Sequence, residues 1–401
     1  MNIIDTYLPY WPLFASCALF LALGLWWRLA AARAMEGTPK SAAWVRSYRT
    51  GGFPFRRELL GSPRLCWWAL LLTLVLGAAF AAFRFVNTWS LYTQEPLRLL
   101  CGRYSILMIL LCALGAGAVF CLLQLLFGSP WTALPGALLF AASPVRSHGI
   151  ACLLAVSLLL LVLYLRAEKP GFPAELLYLC AVLSLSPLVA LRSAMLWVLP
   201  CFPLLHWYKL RAHRRARQLS GGKLLAALLA ALPVWALSVL LTPILYRFLM
   251  LGFGVRTLLG SLTPERYLRF CRELWQNILS QLLSRPTRGM TICLMLDAPL
   301  LGFGLWGCVS AWVSARKRRS VRGVFSLGVL AVLLLVWLLT GTYVLSLGLT
   351  LTAACVLHDA ELAKKRWIPL SMTLTGVCWC LLLHVAAWYL PLVPGIIERM
   401  A

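Results

Sequence analysis

An all-α polytopic membrane protein of about 12 transmembrane helices is the architecture that three features of this 401-residue chain dictate: 62% of residues are apolar, 12% are charged, and long stretches carry no charge. A soluble domain is usually about 45–50% apolar and about 25% charged. A chain this apolar cannot hide its surface from water as a soluble enzyme, a disulfide-stapled secreted module or a disordered segment, and those classes are excluded. Twelve spans of about 20 residues would occupy roughly 240 residues, close to the apolar share of the chain.

Runs free of Asp, Glu, Lys and Arg cover 6–27, 65–83, 104–145, 147–165, 176–191, 193–208, 224–246, 298–315, 323–358 and 367–397. Two of these are too long for one crossing. Gly128-Ser129-Pro130 interrupts the first and Gly341-Thr342 the second, so each reads as a tight pair of helices and the count becomes twelve. The N-terminus and the C-terminus are then both outside. In that arrangement the inner segments 28–65, 128–131, 166–174, 209–223, 315–322 and 358–366 hold 24 of the 37 Lys and Arg, against 13 in the outer ones. The net charge of +25 therefore reports topology, and no nucleic-acid partner is expected.

Residues 10–27 have no basic segment before them and no small-residue cleavage site after them, so this run stays as an anchor. Four regions follow: an N-terminal anchor with its basic, Gly- and Pro-containing connector (1–65), a core bundle (66–246), a long outer loop (247–288) and the C-terminal helices (289–401). The expected location is the cell membrane, a bacterial plasma membrane.

The 14 Cys are scattered through apolar stretches with no C-x-x-C pair, and read as small buried hydrophobes. The five His are dispersed, and His206 and His384 read as packed in or near helix ends. No metal site or cofactor is expected. The nucleotide-binding loop G-x-x-x-x-G-K-[ST], the zinc motif H-E-x-x-H and the hydrolase elbow G-x-S-x-G are all absent.

Charge at the membrane's edge needs a reason, and much of it lies on the outer side. Arg84, Glu95, Arg98, Arg103, Arg146, His148 and Arg192 come from three outer loops. Brought together, they would make a cationic pocket with one carboxylate, suited to an anionic ligand because the guanidinium fork grips phosphate. Each Arg alone would merely snorkel to lipid headgroups. Within the long outer loop, Thr263-Pro264-Glu265 has the cap, proline and acid of a helix start. Tyr267, Cys271, Leu274, Trp275, Ile278 and Leu282 then recur at spacings of three and four. This predicts an amphipathic helix on the outer interface, covering the pocket or resting on lipid. Asp297 is expected inside a span, followed by Ala298-Pro299; there it should face a cavity, pair with Arg288, or stay protonated and bond backbone freed by Pro299.

One family resemblance rests on the order of pieces across 66–246. A first core span enters an outer loop, then Ala133-Leu134-Pro135-Gly136-Ala137-Leu138-Leu139-Phe140-Ala141-Ala142 ends in Ser143-Pro144. Next come Arg146-Ser147-His148-Gly149, a Leu-rich span over 150–165, and 183–191 before Arg192. This order resembles the GT-C superfamily of multi-spanning glycosyltransferases, which take sugars from polyprenyl-phosphate donors at the outer face. The resemblance implies an acid in the first outer loop, where Glu95 is the candidate, lying later than the family's usual acidic pair. Glu95 would act as general base, with Asp297 the second catalytic candidate. Arg84, Arg98, Arg103, Arg146, His148 and Arg192 would bind a lipid-linked sugar donor approaching from the membrane lipid. Two other readings stand beside it: a transporter or flippase of an anionic or lipid-linked substrate, which would commonly show repeated halves not visible here, and a non-catalytic scaffold.

Overall fold

The computed structural model describes residues 63–87, 105–143, 148–166, 172–191, 263–283, 297–318, 321–340, 343–362 and 367–389, with isolated positions at 198, 201–202, 205–206, 209 and 240. The regular structure among them is helical throughout: α1 (Pro63–Asn87), α2 (Ser105–Phe127), α3 (Pro130–Ala142), α4 (His148–Arg166), α5 (Phe172–Leu191), α6 (Pro264–Leu283), α7 (Ala298–Arg318), α8 (Val321–Thr340), α9 (Leu345–Leu362) and α10 (Trp367–Tyr389). Among the described residues, four stretches, Leu65–Ala82, Ile109–Phe127, His148–Leu165 and Ala298–Arg316, are long and apolar enough to cross a membrane.

In lipid there is no hydrophobic drive between helices, so close packing has to come from small residues. On α1, Ala69, Thr73, Gly77 and Ala81 recur every four residues, all buried, and a Cβ on Gly77 would lie 2.9 Å from the Ala116 Cβ of α2. The opposite face of α1 presents Trp67, Trp68, Leu71, Leu72 and Val75, all exposed as for a lipid-facing surface. α7 and α9 are joined in the same way. A Cβ on Gly304 would lie 2.8 Å from a Leu349 methyl, and one on Gly307 would sit 2.7 Å from the Ala353 nitrogen and collide with the Thr352 carbonyl.

The break expected at Gly128-Ser129-Pro130 is present. Gly128 takes φ 73, which favours glycine, and its N–H donates to the Gln124 carbonyl at 2.8 Å, ending α2. Ser129 then caps α3, its hydroxyl accepting from the Trp131 N–H at 3.2 Å, with Pro130 as the first helical residue. The resulting helix has 13 residues, about 20 Å at 1.5 Å per residue, well short of a hydrocarbon core of about 30 Å. It is also the hub of the bundle, with 11 of its residues buried and contacts to α1, α2, α9 and α10.

α6 begins where the cap signal predicts, with the Tyr267 N–H donating to the Thr263 carbonyl at 3.0 Å. Trp275 lies exposed on its apolar face, and the helix packs beside α8. The Tyr267 hydroxyl donates to the Leu240 carbonyl at 3.0 Å. Burial, followed by its hydrogen bond with Cys271, pushes the Tyr267 phenol up to about 12, so it remains a neutral donor.

Candidate functional site

Helix α3 ends at Ser143, whose N–H donates to the Phe140 carbonyl at 3.2 Å as the chain turns away. From this corner the Ser143 hydroxyl donates to Asp297 Oδ1 at 2.5 Å. The Tyr343 hydroxyl, at the head of α9, donates to Oδ2 at 2.9 Å, and the Tyr343 ring stands edge-on to Trp337 with centroids 6.2 Å apart. Asp297 is 1% exposed. Its carbonyl accepts the Leu301 N–H at 2.7 Å, which sets the side chain at the start of α7, where the positive end of the helix dipole favours a carboxylate. Three segments distant in sequence thus converge on one acid. Asp297 directly precedes α7, and its partners include these two hydroxyls; Arg288 lies outside the described residues.

A second acid centre holds the other end of α3. Glu361, near the end of α9, accepts from Ser129 at 2.5 Å and from Thr132 at 2.7 Å, at the N-terminus of α3 where the dipole again favours negative charge. His358 Nδ1 lies 3.8 Å from Glu361, and Arg322 Nη1 lies 3.5 Å from His358 Nε2. Asp359 is buried and accepts from Ser310 of α7. The sequence places 358–366 in an inner loop; the structure corrects this in part, since residues 358–362 continue α9 as helix and carry Asp359 and Glu361 in its last turns. The signal that could have found them is scarcity: two of only 12 acids stand two residues apart, with His358 one turn before Glu361.

These contacts also group the loops. Residues 129–132, 322 and 358–361 meet at one end of the bundle, and 143, 297 and 343 at the other. The same alternation follows from the sequence.

Of the sequence-predicted site residues, Asp297 and His148 are fixed with their side chains. His148 opens α4, is buried, and lies with its ring centroid 4.8 Å from that of Phe140. Arg84 lies in α1 near its C-terminal end. Glu95, Arg98, Arg103, Arg146 and Arg192 lie outside the described residues. His206 is packed as expected, hydrogen-bonded to Tyr164 and stacked on its ring. Lys209, read in sequence as the start of a basic loop, is buried instead, with Nζ 3.8 Å above the Tyr164 ring and donating to the Tyr164 carbonyl. No protein-family model, curated protein or solved structure matches this chain.

Proposed function

We propose that this chain is a membrane glycosyltransferase-like enzyme that transfers a sugar from a polyprenyl-phosphate donor to a cell-envelope acceptor at the outer face. The observation that carries the reading is the Ser143–Asp297 bond. It anchors the Ser-Pro corner on which the family resemblance rests to a buried acid, and Arg146 follows that corner by three residues. In this reading the acceptor hydroxyl attacks the anomeric carbon while its proton passes to Glu95. The bond from that carbon to the phosphate oxygen breaks, and the leaving lipid phosphate carries the charge. Arg98, Arg103, Arg146 and Arg192, with Arg84 at the rim, hold the phosphate and stabilise that charge. Asp297 is a positioning residue, both its oxygens being engaged by hydroxyls.

The test is Glu95→Gln, which keeps size and removes the base. Sugar transfer from polyprenyl-phosphate-linked hexoses is expected to fall roughly 10²–10⁴-fold with donor binding and thermal stability retained. Unchanged transfer would remove Glu95 from the mechanism. A carrier or flippase of an anionic lipid-linked substrate is the second reading, favoured by the short, largely buried α3, since transporters place interrupted helices at the midplane. It predicts movement of the lipid-linked sugar across vesicles without any transfer product.

A further inference from the structure

Cys112 lies on α2, and His148 and Cys152 lie one turn apart on α4, where i,i+4 spacing puts both on one face. One ligand atom from each of the three, two thiol sulfurs and an imidazole nitrogen, falls within 4.8 Å of the others. All three side chains are buried, at 4%, 3% and 0% exposure. The convergence has a cause in the packing. A Cβ on Gly115 would lie 2.8 Å from the Cys152 Cα, so the absence of a side chain there lets α2 and α4 approach until Cys112 faces Cys152. The Phe140 ring of α3 closes the imidazole side.

We propose that Cys112, His148 and Cys152 form a binding site for a thiophilic d¹⁰ metal ion. Thiolate and imidazole donors select zinc(II) or copper(I) over the oxygen-preferring magnesium and calcium. Two thiolates and a neutral imidazole carry two negative charges, so zinc(II) yields a neutral assembly, the form least costly to keep away from water. Bond lengths of about 2.3 Å to sulfur and about 2.0–2.1 Å to nitrogen set tetrahedral donors roughly 3.5–3.8 Å apart, so side-chain shifts of about 1 Å close the site. On binding, the metal replaces the two thiol protons, which pass to solvent, and no group changes oxidation state. Three protein ligands leave a fourth position on zinc for water or another group, as in sites of the catalytic type. The proposal is independent of the sugar-transfer reading, and it makes His148 a metal ligand instead of a donor-binding residue.

The experiment uses the full-length protein in detergent, purified without chelator and kept reduced, and titrated with cobalt(II). The expected result is one cobalt per chain with a thiolate-to-cobalt charge-transfer band and release of two protons; zinc(II) or copper(I) then displaces it, and their order of affinity identifies the resident ion. Cys112→Ser, His148→Gln and Cys152→Ser should each weaken binding by more than about 100-fold, beyond the effect of losing an outer-sphere partner. Cys355→Ser, at a buried thiol on α9, should leave it unchanged. The wild-type titration decides the question even where a variant misfolds. Absence of the charge-transfer band in the reduced protein, a Cys112–Cys152 disulfide in freshly isolated protein, or a band that survives all three substitutions would overturn the site.

Discussion

Removing the Asp297 side chain takes away the acceptor for two buried hydroxyls at once, Ser143 at 2.5 Å and Tyr343 at 2.9 Å. Hydrogen bonds between membrane helices average about 0.6 kcal/mol and reach about 1.7, whereas bonds to ionised groups run about 1.5–3. Two bonds to a neutral acid therefore predict a loss of about 1–3 kcal/mol for Asp297→Ala, and two bonds to a carboxylate about 3–6. Tyr343→Phe keeps the ring beside Trp337 and deletes one donor, so it should cost about half as much. The double variant should then lose less than the sum, with a coupling of at least about 0.5 kcal/mol. Reversible unfolding in mixed micelles measures all three. Additivity within about 0.3 kcal/mol would show that the hydroxyl and the acid do not interact energetically. Asp297→Asn extends the test to function, because the amide can accept from Tyr343 and donate to the Ser143 oxygen. Sugar transfer should survive this change within about tenfold; a loss beyond about 10² at intact stability would make Asp297 the base in place of Glu95.

Gly307→Ala should destabilise by about 3 kcal/mol or more, because the new methyl meets the Thr352 backbone, while Gly328→Ala on α8, with nothing within 4 Å, should be neutral or gain up to about 1 kcal/mol; the same micelle unfolding checks both. Arg146→Ala and Arg192→Ala should weaken binding of a polyprenyl-phosphate ligand far more than Arg316→Ala in the basic last turn of α7, and equal effects would point to general misfolding. Single cysteines at 213 and 318, in a cysteine-free background, should resist an impermeant label in intact cells while 259 and 279 react; labelling at 213 would invert the orientation.

Helix positions were legible wherever one signal acted locally. Gly128-Ser129-Pro130 supplies a left-handed residue, a cap and a proline in three successive positions, and Thr263-Pro264-Glu265 supplies a cap, a proline and an acid for α6, so both helices start where the sequence places them. What stayed hidden depends on contacts between distant segments. Nothing near Glu361 announces that Ser129 and Thr132 will supply its hydrogen bonds, and a charged residue beside the basic 363–366 stretch reads naturally as a loop. The Cys112, His148 and Cys152 grouping was equally hidden, because one thiol comes from another helix and the crossing depends on Gly115 having no side chain. Asp297 drew attention as a lone acid beside a span, yet its hydroxyl partners lie 154 residues before it and 46 after it.

The placement of α3 has a consequence for how the protein is made. Its first turn bonds to an acid 232 residues downstream of Ser129, and its last corner to one 154 residues downstream of Ser143. At about 5–20 residues per second, Ser129 waits roughly 10–50 s for Glu361 to be synthesised. Through that interval a helix too short to span the bilayer carries hydroxyls without their final acceptors and has only α1, α2 and the segments that follow it for cover. Helices α7, α9 and α10, which complete the enclosure, come last. A chain stopped before Asp297 would therefore not be a smaller version of the bundle; its central helix would be left open to lipid on the side that the last quarter of the chain was to fill.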